Sequence, residues 1–232
     1  VSINGNNSLP LALRTGVPQG SILGPLLFIL YINDIIKVST DVELLLFADD
    51  TNVFLHDTDI NSLSVRANKA LFDICMWFKL NKLSVNIKKC NFILFSTKQL
   101  NADIKLCIDN IQLERVKQTK FLGVIINERL TWDDHVSLVC NKVSKHVGIL
   151  RRIKNKIPVS LLRSSYFTLV NPYFEYCNII WAICSSVVLE KLFRIQKKAI
   201  RLIANSDWNA HTAPSFRDFN VLTVHQINRL QV

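Results

Sequence analysis

Two short apolar runs surround a pair of adjacent carboxylates near residue 50, and this pattern constrains the fold more than any other stretch. The runs are Leu44–Phe47 and Val53–Leu55, and the carboxylates are Asp49 and Asp50. Each run is rich in Leu, Phe and Val and has the length of a strand rather than a helix. Asp and Asn tolerate turn geometry and bond to nearby backbone. We therefore predict a buried hairpin that presents both aspartates at its tip.

Adjacent carboxylates repel each other and lose solvation, so a compensating cation is expected beside them. Mg²⁺ takes one or two carboxylates together with substrate phosphates, and Mn²⁺ is an alternative ion. This pattern is typical of a two-metal phosphoryl-transfer site, in which the ions lie roughly 3.5–4 Å apart. The alternative is a surface Asp-Asp turn between two core strands, and the dipeptide alone favours that interpretation.

The basic charge is concentrated in the C-terminal part of the chain. Of the net charge of +10, residues 1–130 carry 14 Lys and Arg against 12 Asp and Glu, and residues 131–232 carry 14 against 6. The C-terminal part is therefore the one expected to face a polyanion. The six cysteines form no Cys-x-x-Cys pair, which argues against a disulfide framework or a zinc site. The apolar run Ile22–Ile36 is interrupted and too short for a bilayer span, so we predict a buried helix and no membrane partner.

A loop with two glycines and a proline precedes this helix, with the sequence Gly16-Val17-Pro18-Gln19-Gly20-Ser21. Glycines let backbone approach a ligand closely, and Ser21 can cap a helix that begins at Leu23. A loop at a helix N-terminus suits contact with a phosphate or a nucleotide. A simple turn with a cap fits the same residues equally well.

The middle of the chain predicts a helix at 61–80 and strands at 91–95 and 121–126. Lys88 and Lys89 come just before the first of these strands, where one could reach a phosphate or both could be solvated. Gly123 within the second strand indicates a bulge or a close backbone approach. The sequence at 131–134 resembles a capping box.

The remainder is predicted to be helical, with one helix over 133–156 and another that begins at Ser185 or Ser186. The apolar stripe of the second helix is predicted to contain Leu189, Leu192, Gln196, Ala199, Ile200 and Ile203. Basic residues occupy the remaining faces of these helices: Arg151, Arg152, Lys191, Arg194, Lys197, Lys198 and Arg201. One such face is ordinarily solvated, whereas several together are typical of a surface that binds a phosphate backbone.

Four motifs in order resemble a known family. They are the Gly16–Ser21 loop, Phe47-Ala48-Asp49-Asp50, Asn86-x-x-Lys89-Cys90 and Phe121-Leu122-Gly123. Together they resemble the reverse transcriptases of non-long-terminal-repeat retrotransposons, most closely the jockey-like group. The resemblance implies an RNA-directed DNA polymerase that uses an RNA template, a DNA primer and deoxynucleoside triphosphates.

The resemblance also implies residue roles. Asp49 and Asp50 would hold the metal ions, and Lys89 would be a general acid for pyrophosphate. The template and incoming nucleotide would be bound by Gly16, Pro18, Gln19, Gly20, Phe47 and Ala48. Phe121, Leu122 and Gly123 would form the primer grip, and the basic helices would follow the heteroduplex backbone.

The resemblance further implies an α/β (α+β) fold: residues 1–130 as a partial polymerase palm with an antiparallel sheet and packed helices, and residues 131–232 as an all-helical thumb. The family's first metal-binding aspartate lies upstream of the glycine-proline loop, and this sequence starts after it. We therefore expect the upstream half of the same polyprotein to be needed for activity. Cys90 stands where the family more often has a hydroxyl residue. A non-catalytic nucleic-acid-binding remnant and a helical interaction module remain as alternatives.

Overall fold

The computed structural model describes residues 2–9, 12, 16–18, 20–96 and 104–232. The described residues form helices and short two-stranded pairs, so the mixed α/β class predicted from the sequence is confirmed. The described strands form separate two-stranded pairs rather than one antiparallel sheet. The chain divides into two compact units, one containing Val1–Asn91 and Leu100–Glu114 and the other Phe92–Gln99 and Arg115–Val232. The boundary predicted at residue 130 stays a prediction about functional domains.

The first unit is built from strand pairs and two helices. Its strands are β1 (Ser2–Ile3), β2 (Asn6–Asn7), β3 (Glu43–Phe47), β4 (Asp50–Phe54), β6 (Cys107–Ile108) and β7 (Ile111–Gln112), and its helices are α1 (Leu23–Ile32) and α2 (Ile60–Leu80). A 3-10 turn at Asn33–Lys37 extends α1, and another covers Ile87–Lys89. The strands β5 (Asn91–Phe92) and β8 (Glu114–Arg115) lie at the division between the units, and β5 is shorter than the strand predicted over 91–95.

Helix α1 is more exposed than its sequence predicts. The buried helix predicted over Ile22–Ile36 is wrong for most of its length, since only Ile32 and Ile35 are buried and Leu30 is 66% exposed. An apolar helix of this kind normally packs on all sides, and the described neighbours cover only one of them. The Ser21 cap is also wrong, because Ile22 occupies the N-cap and makes no side-chain hydrogen bond.

Helix α2 organises the first unit. Asp59 caps its N-terminus by accepting from the Ser62 backbone N–H at 2.7 Å. The Asn68 side chain donates to the Lys105 carbonyl and accepts from the Cys107 N–H, both at 2.9 Å. Its amide group therefore bonds to the backbone on both sides of Leu106, as a neighbouring strand would. This contact fixes β6 and β7 to the middle of α2.

The second unit has one hairpin and a helical bundle. Its elements are β9 (Gln118–Phe121), β10 (Val124–Asn127), α3 (Asp133–Ile153), α4 (Val159–Leu169), α5 (Asn171–Glu175), α6 (Asn178–Trp181), α7 (Ser186–Ile203), α8 (Ala213–Asp218) and α9 (Val224–Gln231). The strand predicted over 121–126 is wrong, since a turn at Leu122–Gly123 divides it. The capping box predicted at 131–134 is also wrong, because Trp132 occupies the N-cap with φ 65° and makes no side-chain cap bond.

The core of the second unit lies between α3 and α7. Every residue of the apolar stripe predicted on α7 is buried, and so are Val136, Val139, Val143 and Leu150 of α3. The α7 stripe includes the fully buried Gln196. Its amide nitrogen donates to the Tyr166 hydroxyl at 3.0 Å and the Leu222 carbonyl at 2.9 Å, and its oxygen accepts from the Val224 N–H at 2.9 Å. This network joins α4, α7 and α9.

Within the described residues, no helix is long and apolar enough to cross a bilayer.

Candidate active site

The hairpin predicted around the paired aspartates is present. Strands β3 and β4 pair antiparallel with Phe47 opposite Asp50, which leaves Ala48 and Asp49 as a two-residue turn. Asp49 therefore lies in the turn, whereas Asp50 is the first residue of β4 rather than a second turn residue. Both aspartates are exposed.

The turn backbone is strained at Ala48. Its φ is 50°, while that of Asp49 is not positive, which is the pattern of a type II′ turn. Glycine is preferred at that first central position, and a positive φ costs a non-glycine residue about 1–2 kcal/mol. Strain of this kind is concentrated at functional sites, although it does not define one by itself.

The two faces of this hairpin differ. Leu44, Leu46 and Val53 pack against a small core around Ile32, Ile35 and Ile74. The opposite face is exposed, with Phe47 at 59%. The prediction of a buried hairpin is therefore correct for one face only, because side chains alternate across a strand. Asp50 lies on the exposed face, directly opposite Phe47.

The two carboxylates are available to a ligand. Within the described part of the chain, neither Asp49 nor Asp50 forms a hydrogen bond or an ion pair with another side chain. Adjacent carboxylate oxygens are suitable ligands for Mg²⁺, which uses one or two carboxylates and substrate phosphates. Among the described residues, no three His, Cys, Asp or Glu side chains lie close enough together to hold a metal ion. The pair thus fits part of a metal site.

The glycine-proline loop is placed at the start of α1. Gly16 and Gly20 have φ values of 77° and 84°, which glycine adopts readily. The Val17 side chain packs on Gly24, where an added Cβ would lie 3.1 Å from Val17 Cγ2. Pro18 accepts a hydrogen bond from the Ser21 N–H at 3.0 Å. Gln19 lies outside the described residues.

Lys89 ends the 3-10 turn Ile87–Lys89, and its side chain is exposed. Its backbone N–H donates to the Asn86 carbonyl at 2.9 Å. The described residues supply no hydrogen bond or ion pair to its ammonium group. Lys89 is therefore free to contact an anion.

The predicted primer grip is the tip of the β9–β10 hairpin. Phe121 pairs with Val124, so Leu122 and Gly123 form a two-residue turn. Their φ values of 44° and 89° are both positive, as in a type I′ turn. The close backbone approach predicted at Gly123 is confirmed, because an added Cβ would lie 3.2 Å from Tyr176 Cε1.

Three side chains to which the sequence assigned no role hold this hairpin against the helices. Tyr176 Oη donates to the Leu122 carbonyl at 2.5 Å, and Trp181 Nε1 donates to the Tyr176 carbonyl at 2.8 Å. His135 Nδ1 accepts from the Ile125 N–H at 3.2 Å. Burial, with a smaller effect of Lys142, lowers the pKa of His135 and favours the neutral ring that this contact needs. We call Tyr176, Trp181 and His135 the hairpin anchor.

The basic residues of α3 and α7 lie along neighbouring helices. Lys154 Nζ donates to Asn205 Oδ1 at 3.2 Å just beyond the C-terminal ends of both helices. Burial raises the pKa of the Cys140 thiol of α3, and the nearby Lys191 ammonium of α7 opposes that rise. In both pairs the residues lie about equally far along the two helices, so α3 and α7 run in the same direction. Arg151 and Arg152 are exposed in the last turn of α3.

Some basic side chains on α7 already have partners. Lys197 and Arg194 lie 3.4 and 3.8 Å from Glu190 Oε1, and the Lys197 ammonium sits 4.0 Å from the centre of the Phe193 ring. Arg201 donates to the Ala210 carbonyl at 2.9 Å. Lys191 and Lys198 are exposed, and within the described residues they take part in no ion pair. These two have the greatest freedom to meet a phosphate.

Comparison with known proteins identifies the family. Residues 2–126, more than half of the chain, match the family model described as reverse transcriptase (RNA-dependent DNA polymerase). The chain belongs to the reverse transcriptase family. The match includes the glycine-proline loop, the aspartate hairpin and the β9–β10 turn, and it confirms the family named from the motifs.

The relatives of this reverse transcriptase chain come from mobile elements. It is 27% identical over 226 residues to a probable RNA-directed DNA polymerase from transposon X-element of Drosophila melanogaster, covering 94% of the chain and 25% of that protein. The chain is 28% identical to a probable RNA-directed DNA polymerase from transposon BS of the same organism, and the alignment covers 99% of the chain and 27% of that protein. The chain is 23% identical to the RNA-directed DNA polymerase from mobile element jockey of Drosophila melanogaster, and the alignment covers 95% of the chain and 25% of that protein. The chain thus spans about a quarter of the length of these curated relatives. No solved structure gives a significant match.

Proposed function

We propose that this chain supplies part of the active site of an RNA-directed DNA polymerase of a retrotransposon. The observation that carries the proposal is the hairpin tip with Asp49 and Asp50, whose carboxylates are exposed and have no partner among the described residues, within the segment that matches the family model. In the proposed reaction a primer 3′-hydroxyl attacks the α-phosphate of a deoxynucleoside triphosphate. Pyrophosphate leaves, and the primer is one nucleotide longer.

Each predicted site residue has a proposed part in this reaction. Asp49 and Asp50 would hold Mg²⁺, which when bound neutralises the charge that develops on the attacking and leaving oxygens. Lys89 would give its proton to the leaving pyrophosphate. The nucleotide and template would be bound by Gly16, Pro18, Gln19, Gly20, Phe47 and Ala48, and the primer by Phe121, Leu122 and Gly123.

Activity is proposed to require a longer polypeptide. A two-metal site of this type uses bridging carboxylates, and the described residues contain no cluster of three ligating side chains. We therefore expect strong primer extension only when this chain is part of a longer reverse transcriptase that supplies a further carboxylate.

Single-nucleotide primer extension in such a longer enzyme tests the proposal. Asp49→Asn preserves the side-chain size and removes the charge, and the loss of one such stabilising group should lower the extension rate at least about 100-fold. Asp41→Asn is the matched control, since Asp41 is also exposed and precedes the same hairpin. Its rate should stay within about twofold of the unchanged enzyme. Extension that survives Asp49→Asn would remove the assignment.

The parallel pair α3 and α7 favours a second function, binding of a nucleic-acid backbone without catalysis. The double variant Lys191→Glu, Lys198→Glu should weaken heteroduplex binding and flatten its dependence on salt, because each lost phosphate contact reduces the slope by about one. Arg217→Glu with Arg229→Glu makes the same charge change on α8 and α9 and serves as the control. Equal weakening by both pairs would show that net charge alone is responsible, and the α3–α7 surface would lose its assignment.

A further inference from the structure

The Leu122–Gly123 turn has two conformations that are close in backbone path. Types I′ and II′ both require a positive φ at the first central residue, but only type I′ requires it at the second. Rotation of the central peptide by about half a turn interconverts them, because it reverses the carbonyl of the first residue and the N–H of the second. Gly123 can adopt either sign of φ without steric cost. Gly123 therefore does not select between the two turns, whereas Leu122 favours type I′, because glycine is preferred at the first central position of type II′.

Tyr176 makes a contact that adds to this preference for type I′. The carbonyl of Leu122 belongs to the central peptide, and it accepts the Tyr176 hydroxyl hydrogen bond at 2.5 Å. In a type II′ turn this carbonyl would point to the opposite face of the hairpin, and the bond would be lost. The Gly123 φ of 89° agrees with the type I′ state.

The tyrosine is itself held in place. The indole N–H of Trp181, a fully buried residue, donates to the Tyr176 carbonyl at 2.8 Å. The Tyr176 ring packs on Gly123, with Cε1 3.2 Å from the position of an added Cβ. On β10, the Ile125 N–H points away from the paired strand β9 and donates to His135 Nδ1. These contacts hold the hairpin against the helices on the side of Tyr176.

We propose that Tyr176 is a positioning residue that holds the Leu122–Gly123 peptide in the type I′ orientation and so presents the Gly123 N–H to a nucleic-acid phosphate. This proposal rests on the proposed function, in which Leu122 and Gly123 contact the primer. In a trans peptide the N–H points away from the carbonyl, so the Gly123 N–H is directed to the face opposite Tyr176. Backbone N–H groups are frequent donors to phosphate oxygens. A flipped peptide would instead direct the Leu122 carbonyl at the phosphate, and the two would repel.

The test measures primer–template affinity by fluorescence anisotropy and nucleotide incorporation by rapid quench, in a reverse transcriptase that contains this chain. Tyr176→Phe keeps the ring and removes only the hydroxyl. It should raise the primer–template Kd about 3- to 10-fold, the range expected for one hydrogen bond. The nucleotide KM and the maximal rate at saturating primer–template should stay within about twofold. Tyr173→Phe is the control. It also removes one tyrosine hydroxyl, but that hydroxyl lies 3.3 Å from His146 Nε2 and makes no hydrogen bond to the Leu122–Gly123 turn.

A rescue experiment separates positioning from simple loss of stability. Asn-Gly strongly favours a type I′ turn, so in a Leu122→Asn background the turn no longer depends on the tyrosine. Tyr176→Phe should then change the Kd by less than about twofold relative to Leu122→Asn alone.

Two results would overturn the inference. One is a Kd unchanged by Tyr176→Phe, and the other is an equal loss with and without Leu122→Asn. A failure of the proposed function is recognised separately, since it would appear as extension that persists in Asp49→Asn.

Discussion

Replacing Gln196 by leucine would leave three polar groups in the second unit without their partner. The side chain of Gln196 is fully buried and holds the Tyr166 hydroxyl, the Leu222 carbonyl and the Val224 N–H at 2.9–3.0 Å. Leucine has a similar volume, so the cavity contribution is small and the loss of hydrogen bonds dominates. Each buried group left unpaired costs about 1–3 kcal/mol. Burial of the new apolar side chain returns about 1–2 kcal/mol.

The expected net cost of Gln196→Leu is therefore about 1–8 kcal/mol in the free energy of unfolding of the second unit. Tyr166→Phe is the matched variant, because Gln196 Nε2 keeps its bond to the Leu222 carbonyl, and its expected cost is about 1 kcal/mol. Urea unfolding followed by tryptophan fluorescence measures both, since Trp181 lies in the same core. A Gln196→Leu protein within about 0.5 kcal/mol of the unchanged chain would refute this account of the network.

Two further predictions concern the β9–β10 hairpin and use the same unfolding assay. Gly123→Ala should lower the free energy of unfolding by about 1–2 kcal/mol, because the φ of Gly123 is 89° and the added Cβ would crowd Tyr176. Gly148→Ala is the control: this helical glycine of α3 has open space around it, so the change should raise the free energy of unfolding by about 0.5–1 kcal/mol. Equal effects of the two variants would contradict the turn geometry. The lowered pKa of His135 means that the unfolded chain takes up its proton first, so the stabilisation is complete above the usual histidine pKa of 6.5 and declines as the pH falls below it. His135→Phe should flatten that decline, and an unaltered profile would show that the Ile125 N–H contact does not depend on a neutral ring.

Sequence patterns whose contacts all lie within one unit could be predicted from the sequence. The α7 stripe could be predicted residue by residue because one continuous face of α7 is buried in the core of the second unit, and such a face has a period of 3.6 residues. The aspartate hairpin was also predictable, because two strand-length runs with a turn between them have few alternatives. The family motifs then assigned candidate roles that the bare pattern could not.

The remaining features depend on contacts between distant residues. The Leu122–Gly123 turn was missed because an unbroken apolar run predicts one strand, and only Tyr176, 54 residues later, shows how the turn is held. Beyond Ser206, Thr223 and Gln226 form a capping box at the start of α9 that was not predicted from the sequence. The Thr-x-x-Gln spacing was a signal for it. The exposure of α1 could not be read from its composition, which is apolar on every face.

The central claim is that the Asp49 side chain binds the catalytic metal, and a change of ligand with a change of ion tests it most directly. Asp49→Cys replaces a hard oxygen ligand by a soft sulfur, which Mg²⁺ accepts poorly and Mn²⁺ accepts better. Primer extension by this variant, in a reverse transcriptase that contains the chain, should be at least about 100-fold slower with Mg²⁺ and partly restored with Mn²⁺. Asp41→Cys should extend primers as fast as the unchanged enzyme with either ion. Full extension of the Asp49→Cys enzyme with Mg²⁺ would contradict the account.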